Sequence, residues 1–417
     1  MRDLLMRGAA YAPLDSTGGG MSGAAQPGNN ILSPWTQQQM QADAQANALI
    51  RQTGTKYLQL IQSFAATPVF GSPYLFNIPI QLVGLITKFY VVATVTVTNP
   101  AGGNMLTRAQ FAPWNIFSTV QYTDPNANQR INTTGWHIGG VAAIRHRRIP
   151  GAAYTTDSPA QFGSVLAPIA APPAIAPGAS GTLRAIYEIP LAYSSEAMTG
   201  AVYAGAVFAT QSLQLTIGAN SIAQAGADPL GTCYTGAAAG ANAPTYAVNL
   251  NVYQEYWDGF PLSLLAPLQP SLSTVYELKT TGINSISANY DNYVRFNNLR
   301  TFMSLLLYYD NGGVLNYGSD INYFKLVSAN QTTLWQREAQ LQSYLTRQQF
   351  GDDFPSQCYV FDFRRSPIIT AAEGNTVLSM NPSSAANGAT LLTAFEDLAT
   401  NTVLASAPSL SGNIGIA

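Results

Sequence analysis

From Phe89 to Thr98 the chain alternates strictly: Phe89, Val91, Ala93, Val95 and Val97 fall on one face of an extended strand, and Tyr90, Val92, Thr94, Thr96 and Thr98 on the other. A helix would scatter these residues around its axis, so this period commits the chain to sheet. The pattern returns twice. Leu213, Leu215 and Ile217 alternate with Ser212, Gln214 and Thr216, and Val248, Leu250 and Val252 alternate with Asn249, Asn251 and Tyr253. Turn signals at Asn99-Pro100, Asp124-Pro125 and Pro177-Gly178 break these runs. Many short strands rich in Thr, Gly and Pro predict an all-β sandwich or jelly roll.

A second strand-rich half begins near Leu262, after residues 246–261, which read as the last strand of the first half and the crossing out of it. Its strands include 301–308 and 358–364, where Tyr359, Phe361 and Phe363 share a face. Asp310-Asn311-Gly312-Gly313 is a strong turn signal, because Asn and Gly tolerate positive φ. Leu334, Leu341 and Leu345 stand at i, i+7 and i+11 and predict one helix inserted in this half, stopped at Gly351. The two halves share no visible sequence identity.

The N-terminal third of the first half is different. Residues 1–32 are rich in Gly, Ala, Ser and Asn without periodicity and read as an extended arm. Ser33 followed by Pro34 gives a hydroxyl cap and a first-turn proline. Met40, Leu49 and Ile50 are the larger apolar residues beyond it, and after Gly54, Leu58, Ile61 and Phe64 or Ala65 recur at helical spacing. Residues 34–62 therefore predict one broken helix or two short ones.

At 417 residues two domains are the default. Charged residues are only 10% and hydrophobic ones 47%. A solvated monomer carries more surface charge, so this composition fits either a membrane protein or a fold that covers its surface by assembly. The most apolar stretch, 78–97, is interrupted by Gln81, Lys88, Thr94 and Thr96, which argues against a spanning helix. The short apolar run Leu4-Leu5-Met6, closed by Arg7, does not make a secretory signal, and folding in the cytoplasm is expected. With 19 Lys and Arg against 21 Asp and Glu, spread thinly, sequence-specific nucleic-acid binding is not expected.

No pattern points to catalysis: there is no GxSxG elbow, P-loop, Rossmann fingerprint or acid/base pair. Asp124, Asn126 and Asn128 match the start of a calcium loop, but Gln129 stands where Gly belongs and Gly135 where Glu belongs. An Asp-Pro turn between strands is the expected reading. His137 is expected to pack at a strand end, and His146, in Arg145-His146-Arg147-Arg148, on a solvated or intersubunit face. The only cysteines, Cys233 and Cys358, are expected as one buried thiol in each half. No metal, cofactor or catalytic residue is assigned.

Several phrases run through the chain in order: YTDPNANQR from Tyr122, TGWHIGG from Thr134, TDSPAQFGSV from Thr156, IPLAYSSEAMTGAV from Ile189, LSTVYEL from Leu272, YDNGGVLNYGSDINY from Tyr309 and DDFPSQCY from Asp352. In these the chain resembles the major capsid proteins of the tectiviruses, tailless bacteriophages with an internal membrane. The resemblance runs from about Thr36 to about Ala405. It implies two tandem eight-stranded jelly rolls and homotrimers of pseudo-hexagonal outline. These would tile an icosahedral shell around a membrane vesicle enclosing double-stranded DNA. The implied partners are other copies and neighbouring trimers, vertex and minor capsid proteins, and the vesicle near the N-terminal base.

The expected division is an arm and base helix at 1–66, a first jelly roll at 67–260, a second at 261–405 and a tail at 406–417. Trp35, Met40, Leu49, Ile50, Leu58 and Ile61 are the expected assembly contacts of the base. The competing reading is a receptor-binding spike or lectin-like double β-sandwich, since jelly rolls serve those roles too.

Overall fold

The computed structural model describes residues 36–400 apart from 110, 147–170, 194–197, 205–210, 227–230, 284–285, 298–299, 311–319, 329–332, 351–357, 365–366, 370–375 and 384–389. The arm at 1–32, Ser33, Pro34, Trp35, the Asp310-to-Gly313 turn, Gly351 and the tail at 406–417 therefore lie wholly or mainly outside the described residues.

Helix α1 (Gln37–Thr53) comes first. Its N-cap is Thr36, not Ser33: Thr36 Oγ1 accepts from the Gln39 amide at 3.2 Å, and Gln39 Oε1 accepts from the Thr36 amide at 2.7 Å. This reciprocal capping box satisfies two free amide donors at once. The Gly54 N–H closes the helix on Ile50 O at 2.8 Å.

The next element is a strand, β1 (Thr55–Ala66), so the helical reading of Leu58, Ile61 and Phe64 is corrected. The physical cause is a register shift between Leu60 and Gln62, where β1 pairs with the last strand of this half. A bulge inserts an extra residue and reverses the side-chain alternation, which makes spacings of three and four look helical. Because β1 is hydrogen-bonded along that strand, 55–66 belongs with the first sandwich and not with the arm.

The first half continues with β2 (Tyr74–Ile78), β3 (Leu85–Thr98), β4 (Leu106–Arg108), β5 (Thr119–Thr123), β6 (Gln129–Thr133), helix α2 (Gly135–His146), β7 (Ala174–Ile175), β8 (Ser180–Pro190), β9 (Val202–Tyr203), β10 (Ser212–Ile217), β11 (Ala223–Gln224), β12 (Tyr234–Thr235) and β13 (Thr245–Asp258). A short helix α3 (Gln269–Ser273) leads to the second half. That half contains β14 (Thr274–Ile283), β15 (Asn292–Arg295), β16 (Arg300–Asp310), β17 (Ile321–Val327), β18 (Thr333–Glu338), helix α4 (Ala339–Phe350), β19 (Cys358–Asp362), β20 (Ile368–Ile369), β21 (Val377–Pro382) and β22 (Thr390–Thr400). Leu334 lies on β18 and only Leu341 and Leu345 on α4, so the expected three-leucine helix is corrected. Its i, i+7 spacing spans a strand-to-helix boundary.

The strand orders show a duplication that the sequence hid. One sheet of the first half runs β1-β13-β3-β8, and its counterpart in the second half runs β14-β22-β16-β19. The facing sheets run β2-β10-β5-β6 and β15-β21-β17-β18. The correspondence keeps chain order throughout, including β9 on β3 with β20 on β16, and helix α2 after β6 with α4 after β18. Each half is a sandwich of eight strands in jelly-roll order. Strands β4, β7, β11 and β12 form a further small sheet in the first half.

The alternation at β3 does what the sequence requires: Phe89, Val91, Ala93, Val95 and Val97 are fully buried. The two cores, however, are not separate. The larger takes in Tyr276, Leu278, Met303, Leu306, Tyr308, Val360 and Ala394 from the second half. The other, around Phe302, Leu305, Phe324, Tyr359, Phe361 and Phe395, lies inside the second sandwich. Along β16 alternate residues thus face different cores. The halves also share a ladder, because β6 runs parallel to β14 with Ile131 opposite Leu278.

Candidate assembly surfaces

The base of the first sandwich is built on α1. Ala46 and Ile50 pack with Leu85, Met198, Phe260, Leu265 and Leu268 in a third apolar cluster. On the same helix face Asp43 accepts from the Ser271 amide at 3.0 Å and from Ser271 Oγ at 2.8 Å. Burial pushes Asp43 up to about 6, against the pull of both Ser271 hydrogen bonds. The base helix is thereby fastened to the crossing between the two sandwiches.

A second buried anchor meets the same crossing. Arg130 Nε pairs with Asp124 Oδ2 at 2.7 Å and Arg130 Nη1 donates to Gly200 O at 2.8 Å, while the Gly200 amide donates to Ser271 O. Asp124 Oδ1 accepts from the amides of Asn126 and Asn128, each at 2.9 Å. Both carboxylate oxygens of the calcium-like fragment are thus engaged by the protein, and the loop is a β5–β6 hairpin turn with Ala127 at φ 62°.

Of the six expected base contacts, Trp35 lies outside the described residues. Met40 is half-buried, Ile50 is fully buried in the base cluster, and Ile61 packs against the main core. Leu49 and Leu58 are exposed. The structure therefore turns Ile50 and Ile61 inward and presents only Leu49 and Leu58 outward.

Helix α2 sits between the two sandwiches, so His137 is helical and not at a strand end. Its Gly139-Gly140 pair explains how the helix fits. A Cβ on Gly139 would lie 2.6 Å from the Trp114 ring of its own sandwich, and one on Gly140 would lie 2.3 Å from Leu306 of the other. Trp136 reaches Tyr308 at 6.3 Å between ring centroids. His137 Nδ1 lies 2.5 Å from Thr133 Oγ1, which lies 2.5 Å from Thr280 Oγ1 on β14. Burial lowers His137 to about 4 and keeps it neutral.

The same junction holds a fully buried carboxylate, Glu396 on β22. Arg364 Nη2 lies 2.8 Å from its Oε2 and Arg145 Nη2 lies 3.7 Å from its Oε1. Ser304 Oγ and Tyr276 OH donate at 2.6 and 2.8 Å. Arg145 also stacks over the Tyr276 ring at 5.2 Å. Burial raises Glu396, but the two guanidinium charges and the Ser304 hydrogen bond outweigh it and hold it at about 2. Sequence reasoning assigned none of Gly139, Gly140, Arg364 or Glu396. Only the Gly-Gly pair inside an apolar stretch offered a signal.

Cys233 and Cys358 are free thiols, one per half, and burial pushes both up. They are inert packing groups. Among the described residues no helix is long and apolar enough to cross a membrane.

Residues 33–260 match the family description "P3 major capsid protein N-terminal", and residues 273–412 match "P3 major capsid protein C-terminal". Major capsid protein P3 of Enterobacteria phage PRD1 is 33% identical over 379 residues, 90% of this chain and 95% of that protein. The chain belongs to the P3 major capsid protein family. The crystal structure of the STIV MCP aligns at a TM-score of 0.61 and 12% identity, over 85% of this chain and 99% of that one. A structure of Sulfolobus Turreted Icosahedral Virus aligns at a TM-score of 0.58 and 14% identity, over 85% and 94%. At these identities the two structures bear on the fold, and they agree with the double jelly roll traced above.

As a P3 family member the chain is a tectivirus-like bacteriophage major capsid protein, structural and not enzymatic. It self-assembles into a capsid shell and resides in the virion. The spike or lectin alternative gives way to this assignment.

Proposed function

We propose that this major capsid protein forms homotrimers of pseudo-hexagonal outline, and that these tile an icosahedral shell around a membrane vesicle enclosing double-stranded DNA. The observation that carries the reading is the duplication: one chain contributes two sandwiches of the same strand order, so three chains contribute six similar units. Repeating one head-to-tail contact around an axis closes a ring without any new surface. The charge content of 10% fits a protein that meets neighbours over much of its area.

In this reading the chain folds in the host cytoplasm, with its two jelly rolls near 67–260 and 261–405 and β1 added to the first. The arm at 1–32, Trp35, and the outward Leu49 and Leu58 provide the base contacts. Neighbouring trimers, vertex and minor capsid proteins and the vesicle are the partners. Nucleic acid is not touched sequence-specifically, in keeping with the thin spread of Lys and Arg.

Light scattering on the purified native chain tests the trimer. The expected mass is three times the 44.4 kDa chain. A monodisperse monomer at micromolar concentration overturns it. Electron microscopy of the source particle then reads the lattice and the vesicle directly.

A further inference from the structure

The end of the second sandwich farthest from the base carries an exposed aromatic and polar patch. Strand β14 leaves α3 at the base crossing with Thr274 and ends at Ile283. Its length is about 30 Å at the usual rise per extended residue, so the chain that follows lies at the opposite end from helix α1. There β15 begins. Tyr293 of β15 stands opposite Ser379 of β21, which stands opposite Lys325 of β17, and in the adjoining row Asn381 stands opposite Tyr323. Val294, Phe324, Leu378 and Met380 turn into the second core, so Tyr293, Ser379, Lys325, Asn381 and Tyr323 form the outer face of this sheet.

Two tyrosines flank an ordered polar network there. Tyr290 is 72% exposed and Tyr293 is 54% exposed. Asp291 stands between them in the chain, and its Oδ1 accepts from Tyr323 OH at 3.0 Å and from Asn381 Nδ2 at 2.9 Å. Asn381 Oδ1 in turn accepts from the exposed Asn322 Nδ2 at 2.9 Å. Both of these bonds to the carboxylate end on Oδ1, so Oδ2 keeps accepting capacity. Burial opposes the charge on Asp291, but the hydrogen bonds from Asn381 and Tyr323 and the charge of Lys325 outweigh it. The carboxyl therefore ionises below the usual aspartate range.

A single exposed tyrosine is an ordinary surface residue, and what sets this pair apart is how the loop beneath it is held. Asn292 Oδ1 accepts from the Ser287 amide at 3.1 Å, and Asn292 Nδ2 donates to Ser287 O and to Tyr290 O, each at 3.0 Å. The Asn289 amide donates to Pro382 O at 2.9 Å, with Asn289 at φ 61°. Ile286 anchors the loop in the second core. A segment that met only water would gain nothing from holding an aromatic ring in place. A ring fixed in advance loses little freedom when a ligand stacks on it.

We infer that this patch binds a neutral saccharide, with hexopyranose rings laid on Tyr290 and Tyr293. The face of a pyranose is a sheet of C–H groups and its rim is a ring of hydroxyls. Tyrosine meets the first with an apolar ring face and a polar tip. Asp291 meets the second as a charge-assisted acceptor, and the Asn322 amide offers both a donor and an acceptor. The ionised Asp291 repels an anionic ligand, and Lys325 with Arg295, on the same sheet face, repels a cationic one. An extended peptide would ask for a free strand edge, whereas the backbone of β21 beneath the patch is paired on both sides. One shallow patch holds a sugar weakly, and a particle with many copies holds a polymeric saccharide through many patches at once. The inference goes beyond the shell reading and does not depend on how copies associate.

Saturation-transfer NMR on the purified full chain tests this, with maltotetraose, cellotetraose and chitotetraose as the probes at millimolar concentration. At least one probe is expected to receive saturation through its ring C–H protons. Tyr290→Ala combined with Tyr293→Ala is expected to cut that signal about fivefold or more. Tyr290→Phe keeps the stacking ring and is expected to keep most of the signal. Asp291→Asn keeps an acceptor for Tyr323 and removes the charge, and is expected to weaken binding with the melt unchanged. Light scattering and thermal melts on the same samples are expected to match the parent, because both rings are exposed. No transfer to any of the three probes from the parent chain overturns the inference. An undiminished signal in the double alanine variant puts the binding elsewhere and overturns it too. A double variant of lower native mass, with no saccharide signal from the parent, would show a contact between copies in place of a sugar site. The native mass also reads the trimer separately, so a monomeric chain that still binds the probe removes that reading and leaves this one standing.

Discussion

Two buried carboxyl groups of opposite behaviour can be read at the level of single residues. Asp43 is raised to about 6 by burial, so the folded chain holds its proton more tightly than the unfolded one. Its stabilising contribution is present below the usual aspartate range, about pH 4, and is lost as pH rises through about 6. The penalty for keeping the carboxylate charged at pH 8 is on the order of 3 kcal/mol. Asp43→Asn keeps an acceptor for the Ser271 amide and supplies a donor for Ser271 Oγ. The variant is expected to melt higher than the parent at pH 8, with the gap closing towards pH 4. Thermal melts across that range check it, and a gap independent of pH would refute the assignment. Glu396 has the reverse sign. Held at about 2, it contributes stability that is fully present above the usual glutamate range and is lost progressively as pH falls from there through about 2. Glu396→Gln leaves Arg364 and Arg145 at the junction without their counter-charge. Urea unfolding at pH 7 is expected to show a loss of about 3 kcal/mol or more.

At the level of elements, helix α2 is the piece that makes two sandwiches into one body. It has glycine on both sides of a tight passage: Gly139 against Trp114, and Gly140 against Leu306. Gly140→Val would place further carbons in space that Leu306 already fills. The expected result is a loss of about 1–3 kcal/mol in denaturant unfolding. Gly71, with φ at 76° and nothing within 4 Å of an added Cβ, is the opposite case, with open space and a left-handed backbone. There, substitution by Val is expected to cost only the left-handed strain. If Gly140→Val unfolds at the same denaturant concentration as the parent, α2 is not a tightly fitted wedge.

At the level of the whole molecule, the two jelly rolls are alike in topology and unequal in independence. The outer face of the second large sheet, with Tyr276, Met303, Leu306, Tyr308 and Val360, belongs to the core of the first sandwich. A fragment 261–417 exposes that face to water. It is expected to be insoluble or to bind a hydrophobic dye, and to be recovered in soluble form when 1–260 is co-expressed. A soluble, cooperatively melting 261–417 fragment would show that the boundary between the halves is a true domain boundary.

The alternation at Phe89–Thr98, 213–217 and 248–252 was enough to fix sheet, and the ordered phrases from Tyr122 to Asp352 were enough to fix family and double jelly roll. Period-two burial is a local property, written into consecutive residues, and is therefore legible in them. Where local patterns crossed an irregularity they misled: the bulge in β1 imitated a helix, and the Leu334–Leu341 spacing bridged a strand and a helix. The placement of the base contacts was open for a similar reason, since adjacent residues such as Leu49 and Ile50 point to different sides of one helix. The one-to-one correspondence of the strand orders, the shared core and the Arg364–Glu396–Arg145 cluster were decided only by the tertiary structure. Each joins residues far apart along the chain or compares strand orders, and neither leaves a mark on neighbouring residues. The same strand order can be reached by sequences with no visible identity, because a jelly roll asks only for an apolar face on each strand, not for particular residues.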